Sequence, residues 1–385
     1  MFGSTHRSKS LVAVADIGSA SAAVAVIALH ESAPAEIIAS HRVYLPYAER
    51  NDDSTAAAVL AGLREAGKKI LETMAQTPQK NSSVGHAYAI MYAPWTRSKT
   101  VNATTVFAKE ERITAAMIQE QAQLAIATDK EFDRENVVES TVVRVELNGY
   151  RTSAPLGKSA HRLSVSALLS EGVAEVRKGV STELAALFPH ATILERSGAR
   201  TLISAAESLP QLGSDYVIMA VMGETTSVVV VRDGLAVQHA LIPEGIRTIV
   251  KRLSDKGMQE ETLSLLRMIE RDECNSDACE AIMAAMARAE IDLARVYGEN
   301  LTKLAAPVRL PPDLVLVTQD DLRPWLTKFF SRIDFTQCTF TTQPFTVHGL
   351  SRDDLKSSVV VEQSASSDIG LMIAGALVNS EQGRK

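Results

Sequence analysis

Short turn sequences interrupt apolar strands most clearly in two parts of the chain. Residues 11–29 read LVAVADIGSASAAVAVIAL, in which two apolar strands flank the turn Asp-Ile-Gly-Ser-Ala-Ser. Residues 216–243 repeat this arrangement around Gly-Glu-Thr-Thr, and Asp233-Gly234 is a strong signal for a further hairpin. The pattern predicts two similar β-rich regions, one near the start of the chain and one in its second half.

A third alternating pattern lies between these two regions. Within residues 139–170, Val143 and Val145 alternate with charged residues, and an Asn-Gly turn precedes a second alternating strand. The pattern predicts a hairpin with one buried face.

Helical patterns and single strands fill most of the remaining chain. Apolar residues at helical spacing predict helices over 54–74, 113–127, 171–187, 198–209, 244–253, 259–269, 277–304, 323–330 and 368–378. Further strands are predicted over 37–47, 192–194, 314–317 and 357–361. Strands followed by helices in both halves predict an α/β protein with two duplicated lobes.

The first turn carries residues suited to a nucleotide. Gly18 permits a tight turn that brings backbone N–H groups against a phosphate, Ser19 and Ser21 supply hydroxyl donors, and Asp16 is placed to face a metal ion. An ordinary hairpin that uses Asp and Gly in its turn explains this motif equally well when it is taken alone.

A second match strengthens the nucleotide interpretation. The turn of the second region contains Gly223, Glu224, Thr225 and Thr226, again between two apolar strands. With two such hairpins, the chain resembles the actin-like ATPases, a superfamily that also contains sugar kinases and Hsp70. In these proteins, hairpins from two lobes clamp a nucleotide, and the chain is most similar to the bacterial branch that contains FtsA and PilM.

The resemblance implies a two-lobed, ribonuclease H-like duplicated α/β fold with an inserted α+β subdomain of the SHS2 type. It places the first lobe in residues 1–83 and 171–212, and the inserted subdomain in residues 84–170, where 87–95 and the helix 113–127 complete it. The second lobe then covers 213–356, and residues 357–385 close on the first lobe. ATP and Mg²⁺ are the ligands that the resemblance implies for the cleft.

Two family motifs are altered in this chain. The relatives carry Asp-x-Gly-x-x-Thr in the second hairpin, and the position of the acid falls on Ala220, or on Val221 in an alternative register. Neither side chain coordinates Mg²⁺, which prefers oxygen ligands. Residues 319–321 replace the glycines that contact adenosine in the family, and 260–267 lacks a clear Ala-Glu-x-x-Lys match. These changes predict a degenerate nucleotide site.

We therefore expect a scaffold or assembly protein of the FtsA and PilM type that supports type IV pilus assembly or cell division at the inner membrane. Its expected partner is a segment of an inner-membrane protein, and the resemblance also allows self-assembly. Trp95 is a candidate anchor for that segment, with a buried core aromatic as the other interpretation. The alternative function is an active Mg-ATPase or small-molecule kinase of the same superfamily.

Composition limits the other functional classes. A net charge of −6, a pI near 5.8 and the lack of a basic stripe argue against nucleic-acid binding. No apolar run approaches the roughly 20 residues of a membrane span, and residues 1–10 lack the apolar core of a signal peptide. These features predict a cytoplasmic protein that reaches the membrane through partners.

The three cysteines are Cys274, Cys279 and Cys338. They form neither an even framework nor a CxxC pair, so ordinary reduced thiols are expected and a structural metal is not.

Overall fold

The structure, a computed structural model, describes residues 10–31, 33–46, 52–77, 82–254, 258–340, 343–363, 365 and 368–382. Residues 1–9, which hold most of the segment examined for a signal peptide, lie outside this part of the chain. The strands are β1 (Ser10–Ile17), β2 (Ser21–Leu29), β3 (Ala35–Tyr44), β4 (Val84–Met91), β5 (Thr96–Arg112), β6 (Val137–Leu147), β7 (Tyr150–Arg151), β8 (Ser159–Gly172), β9 (Thr192–Ser197), β10 (Tyr216–Val221), β11 (Thr226–Arg232), β12 (Leu235–Ile242), β13 (Asp313–Val317), β14 (Thr346–Gly349) and β15 (Val359–Val361). The helices are α1 (Asp52–Met74), α2 (Ala115–Thr128), α3 (Ala174–Leu187), α4 (Gly198–Ala206), α5 (Ile246–Ser254), α6 (Gln259–Glu270), α7 (Asp277–Ala305), α8 (Arg323–Arg332) and α9 (Ile369–Gln382).

The first lobe is built on a six-stranded sheet of order β15-β3-β2-β1-β4-β9. Antiparallel β1, β2 and β3 form a meander, and β4 and β9 continue the sheet in parallel. Both faces are covered, so nearly every residue of β1 is buried: Val12 and Val14 pack on one face, and Ala13 and Ala15 pack on the other. The strands therefore appear in the sequence as continuous apolar runs.

The second lobe repeats this plan. Its five-stranded sheet has the order β12-β11-β10-β13-β14, in which an antiparallel meander is again extended by parallel strands. The core on one face of this sheet includes Leu293 and Tyr297 of α7 and Phe329 and Phe330 of α8. Helix α9 packs back onto the sheet of the first lobe, as expected. The predicted two-lobed α/β fold is confirmed.

A separate four-stranded sheet of order β5-β8-β6-β7 lies between β4 and α3 in the chain, and α2 packs against it. The predicted start of this insertion at residue 84 differs from the observed pairing. Strand β4 pairs in parallel with both β1 and β9, and its last five residues are buried, so it belongs to the first lobe. The inserted sheet begins with β5 at Thr96 and ends with β8 at Gly172. Its assignment to the SHS2 type stays a prediction.

The expectation of unbridged cysteines is wrong for one pair. Cys274 and Cys279 form a disulfide across the connection from α6 to α7, where the chain reverses and brings their Cα atoms to 5.6 Å. Cys338 is free and buried. None of the described helices is both long enough and apolar enough to cross a bilayer.

Candidate functional site

A cleft of about 570 Å³ lies between the two lobes. Both predicted hairpin turns, the helix α6, the loop after β13 and the start of α9 contribute to its walls. The residues that line the cleft include Asp16, Gly18, Ser19, Ser21, Arg42, Tyr92, Leu202, Val221, Gly223, Arg247, Glu260, Leu263, Arg267, Val317, Thr318, Gln319, Asp320, Asp321, Asp368, Ile369, Gly370 and Ile373.

The two hairpin turns meet directly at this cleft. Ser19 Oγ accepts a hydrogen bond of 3.1 Å from the backbone N–H of Glu224. Gly223 packs so closely on Ala20 that a Cβ atom at position 223 would lie 2.2 Å from the Cβ of Ala20. Only glycine fits at this approach, so the sequence signal of a Gly-containing turn in each lobe reflects a real contact between lobes.

The backbone and hydroxyl groups of the first turn already have partners within the protein. The N–H of Gly18 donates to the carbonyl of Ser21 at 3.0 Å, and Ser21 Oγ accepts from Arg42 Nη1 at 2.9 Å. The sequence assigns the Gly18 N–H and the hydroxyls of Ser19 and Ser21 to phosphate; here the N–H donates within the turn, and the two hydroxyl oxygens accept from Glu224 and Arg42. In the observed conformation they stabilise the turn.

Trp95 lies directly behind the first turn. Its indole Nε1 donates to the carbonyl oxygen of Gly18 at 2.9 Å, and the residue is only 4% exposed. The structure therefore agrees with the interpretation of Trp95 as a buried core aromatic and offers no surface there for an anchor.

Arg42 occupies the centre of the site. Its Nη1 lies 3.1 Å from Asp16 Oδ1, its Nε lies 2.5 Å from Asp368 Oδ2, and its Nη2 lies 2.9 Å from Asp368 Oδ1. Gly370 lies beside all three groups, because an added Cβ would come within 3.0 Å of Arg42 Nη2 and 3.1 Å of Asp16 Oδ2. A guanidinium thus stands between two carboxylates at the position that the resemblance assigns to a metal ion.

Burial and mutual attraction both shift the pKa values of the three charged groups in this cluster. Burial raises the pKa of Asp16, against the lowering effect of Arg42. Burial also acts to raise the pKa of Asp368, but the charge and hydrogen bonds of Arg42 outweigh it and lower that pKa. The two carboxylates raise the pKa of Arg42 despite its burial, so the guanidinium stays charged.

Magnesium does not fit this arrangement. Asp16, the predicted metal ligand, is paired with a cation, and the described residues contain no cluster of three His, Cys, Asp or Glu side chains that could hold a metal ion. Arg42 and Asp368 belong to none of the motifs predicted from the sequence. The one available signal was a charged residue inside the otherwise half-buried strand β3.

The second turn contributes less to the cleft than predicted. Thr226 is fully buried, and its Oγ1 donates to the carbonyl of Glu244 at 2.7 Å and lies 2.8 Å from Tyr297 Oη, inside the second lobe. Val221 lines the cleft, whereas Ala220 packs in the hydrophobic core. The assignment of the acid's position to Ala220, or to Val221 in the alternative register, stays a prediction.

The opposite wall is formed by the segments that replace the adenosine motif. Arg267 of α6 forms an ion pair of 2.7 Å with Asp321, and Asp320 is held by Arg323 at 2.6 Å. Both predicted segments, 260–267 and 319–321, lie at the cleft.

Comparison with known proteins supports the fold. No protein-family model and no curated protein sequence matches the chain. Among solved structures, one titled as a PilM-PilN type IV pilus biogenesis complex aligns with a TM-score of 0.59 and 13% identity, over 98% of this chain and 99% of the other. The ethanolamine utilization protein EutJ from Carboxydothermus hydrogenoformans aligns with a TM-score of 0.44 and 12% identity, over 88% and 84% of the two chains. A Bacteroides thetaiotaomicron protein with an actin-like ATPase fold aligns with a TM-score of 0.38 and 10% identity, over 97% and 99%.

At 13% identity, the likeness to the PilM chain is one of fold. It extends over nearly the whole chain, and the two hairpin turns of this chain meet across its cleft. The chain therefore has the two-lobed fold of the actin-like ATPases.

Proposed function

We propose that this protein is an assembly scaffold that uses the actin-like fold without hydrolysing ATP. The observation that carries the proposal is the placement of Arg42, whose guanidinium pairs with Asp16 at 3.1 Å and with Asp368 at 2.5 Å. Hydrolysis in this fold class depends on a metal held near acids; here one acid is paired with a guanidinium, and the predicted position of the other is Ala220, or Val221 in the alternative register.

The state of the turns supports the same conclusion. Gly18, Ser19 and Ser21 are engaged by protein groups, and the lobes touch where phosphates would have to enter. Opening this contact would break the hydrogen bond from the N–H of Glu224 to Ser19 Oγ. Binding of a triphosphate therefore competes with the closed arrangement of the lobes.

Calorimetric titration with ATP and Mg²⁺, combined with a phosphate-release assay, tests this part of the proposal. We expect no saturable heat and no phosphate release above that of buffer. Turnover that is present in the natural protein and lost in Asp16→Asn would overturn the proposal and favour an active Mg-ATPase or kinase.

We further infer that the scaffold acts at the cytoplasmic face of the inner membrane, where it holds a segment of a membrane protein. Type IV pilus assembly is the proposed setting, by analogy with the solved PilM-PilN complex, and cell division is the second setting predicted from the sequence. Self-assembly is compatible with either setting. No described helix of this chain is suited to span the membrane. The membrane partner is the attachment that this proposal assigns to the scaffold.

The outer edge of β6 is the proposed docking place for that segment. Strand β7 pairs only with Glu146 and Leu147, and no other described strand covers the outer edge of β6 from Ser140 to Val143. An extended peptide gains main-chain hydrogen bonds at such an edge. The neighbouring groove between α2 and β6 is lined by apolar side chains that include Ile118, Ile126, Val142, Val143 and Leu156. We therefore propose an extended, apolar peptide as the occupant.

Val143→Arg tests the docking site, with Val106→Arg as its matched control. Both valines are exposed, at 41% and 72%, and they lie on β6 and β5, the two sides of the same inserted sheet. We expect synthetic peptides of inner-membrane pilus or division proteins to lose binding to Val143→Arg and to keep binding to Val106→Arg. Equal binding by both variants would contradict docking at β6.

A further inference from the structure

Asp16 Oδ2 is a buried oxygen without a hydrogen-bond partner among the described residues. Asp16 is only 4% exposed, and its other carboxyl oxygen accepts from Arg42. Gly370 leaves Oδ2 uncovered, since it has no side chain to fill the space beside this oxygen. A buried acceptor that lacks a donor is unfavourable, so a ligand that donates to Oδ2 gains a hydrogen bond that the protein itself leaves unmade.

The charge of the cleft indicates which donor is favoured. Of the described residues that line it, five are acids and three are arginines: Asp16, Glu260, Asp320, Asp321 and Asp368 against Arg42, Arg247 and Arg267. Asp320 is balanced by Arg323 and Arg352 outside the lining, and the remaining four acids against three arginines still give the lining a negative formal charge. A negative lining attracts a cation and repels a polyanion such as free ATP.

The walls of the cleft are suited to a hydrocarbon chain. Apolar side chains from four elements of both lobes face the same space, namely Leu202, Leu263, Val317, Ile369 and Ile373. Two further polar atoms lack partners among the described residues, Thr318 Oγ1 and Gln319 Nε2. A ligand that is partly aliphatic and ends in a polar group matches this combination.

We propose that the cleft binds an organic cation, a protonated primary amine on a short aliphatic chain, whose ammonium group donates to Asp16 Oδ2. The ammonium adds a positive charge to the cluster of Arg42, Asp16 and Asp368, and so balances the second carboxylate. A neutral hydroxyl also donates to Oδ2 but leaves the excess negative charge in place. The site thus takes an amine where its relatives in fold would take a metal-bound nucleotide.

Calorimetric titration of the full chain with the diamine cadaverine tests the proposal, with pentanediol as the neutral analogue of equal length. We expect saturable binding of cadaverine and binding of the diol that is weaker by about tenfold or more, the usual effect of a hydrogen bond between charged groups. Asp16→Asn keeps the size of the side chain and removes its charge. We expect it to lower the affinity for cadaverine by about tenfold or more.

Asp320→Asn is the matched control for charge. It removes an acid of the same cleft that is already paired with Arg323 and Arg352, and we expect it to retain cadaverine binding. Equal losses in Asp16→Asn and Asp320→Asn would reduce the effect to general electrostatics and overturn the proposal. Equal affinity of the natural protein for the diamine and the diol would do the same.

A measurement on the natural protein tests the proposal without a variant that could fail to fold. With labelled isoleucine methyl groups, we expect cadaverine to shift the NMR signals of Ile369 and Ile373 and to leave that of the exposed Ile291 unchanged. No shift at the two cleft residues would overturn the proposal. The proposed scaffold function is tested separately, because ATP turnover would contradict it. If neither cadaverine nor ATP binds, the amine proposal is overturned and the scaffold proposal stands.

Discussion

Arg42 and Asp368 form a two-point ion pair that joins the third strand of the first lobe to the N-terminus of the closing helix. The distances are 2.5 Å from Nε to Oδ2 and 2.9 Å from Nη2 to Oδ1, and Asp368 Oδ1 also accepts from the N–H of Leu371 at 3.0 Å. One carboxylate therefore caps α9 and holds a buried arginine.

Replacement of Arg42 by Met should destabilise the fold strongly. The variant leaves Asp16 and Asp368 without their shared cation, and breaking a buried pair from one side costs about 3 to 5 kcal/mol. Urea unfolding measures this loss. Arg64→Met is the control, since the pair of Arg64 with Glu183 is exposed and solvent screening leaves it little effect on stability. Losses of equal size would contradict the central role of Arg42.

Trp95→Phe should weaken the first turn without removing an aromatic ring from the core. The change leaves the carbonyl of Gly18 unpaired, at a cost of about 1 to 3 kcal/mol. Hydrogen exchange should report faster exchange of the backbone amides in residues 16–21. Trp325→Phe also loses an indole hydrogen bond, of 2.8 Å to Glu290, but in the second lobe, and its exchange in residues 16–21 should stay unchanged.

The free energy of unfolding should fall as the pH decreases through the range in which His239 is protonated in the unfolded chain but not in the folded protein. His239 Nδ1 accepts from the N–H of Ser98 at 3.0 Å, and Nε2 lies 2.9 Å from Ser227 Oγ, so the ring joins the inserted sheet to the second lobe. Burial lowers the pKa of His239 from 6.5 to about 4. Between these values the unfolded chain binds the proton and the folded chain does not.

The contribution of His239 is therefore complete above about pH 6.5 and decreases by about 1.4 kcal/mol per pH unit below it, by up to about 3 kcal/mol near pH 4. Urea unfolding across this range measures the slope, and NMR titration of the imidazole measures the pKa directly. His239→Gln should flatten the slope. A ring that titrates near 6.5 in the folded protein would refute this prediction.

Reduction should destabilise the connection between α6 and α7. The disulfide of Cys274 and Cys279 closes a short loop, for which the chain-entropy relation gives about 2 kcal/mol. Unfolding with and without reductant measures the difference, and a double Cys→Ser variant at these positions should be insensitive to reductant. If thiol titration of the unreduced, unfolded protein finds three free thiols, the pairing is wrong.

Much of the fold is predictable from the sequence because the strands around each turn are buried on both faces and therefore form long apolar runs. The meanders of both lobes, the long helix α7 and the closing helix α9 all follow from such local patterns. The assignment of 84–95 to the insertion failed because an isolated apolar strand does not reveal its partners. Only the parallel pairing of β4 with β1 and β9 assigns it to the first lobe.

The candidate site was less predictable because its central interactions join residues far apart in the chain. Asp16 and Gly223 are marked by their turns, but the pairing of Arg42 with Asp368 spans 326 positions and carries no local signature. Thr226 is the reverse case, a residue that the sequence assigns to the site and that the structure places outside it. It matches the family motif by spacing, and yet its hydroxyl is bonded inside the second lobe.

The position of Trp95 has a mechanical consequence for partner binding. Trp95 directly precedes β5, and its carbonyl accepts from the N–H of Val173 at 2.9 Å, just beyond the end of β8. The same residue that touches the first turn thus lies where the chain enters the inserted sheet and is bonded to the residue where the chain leaves it. Under the proposed function, a partner that pulls on that sheet would act on the first turn through the hydrogen bond from the Trp95 indole to Gly18.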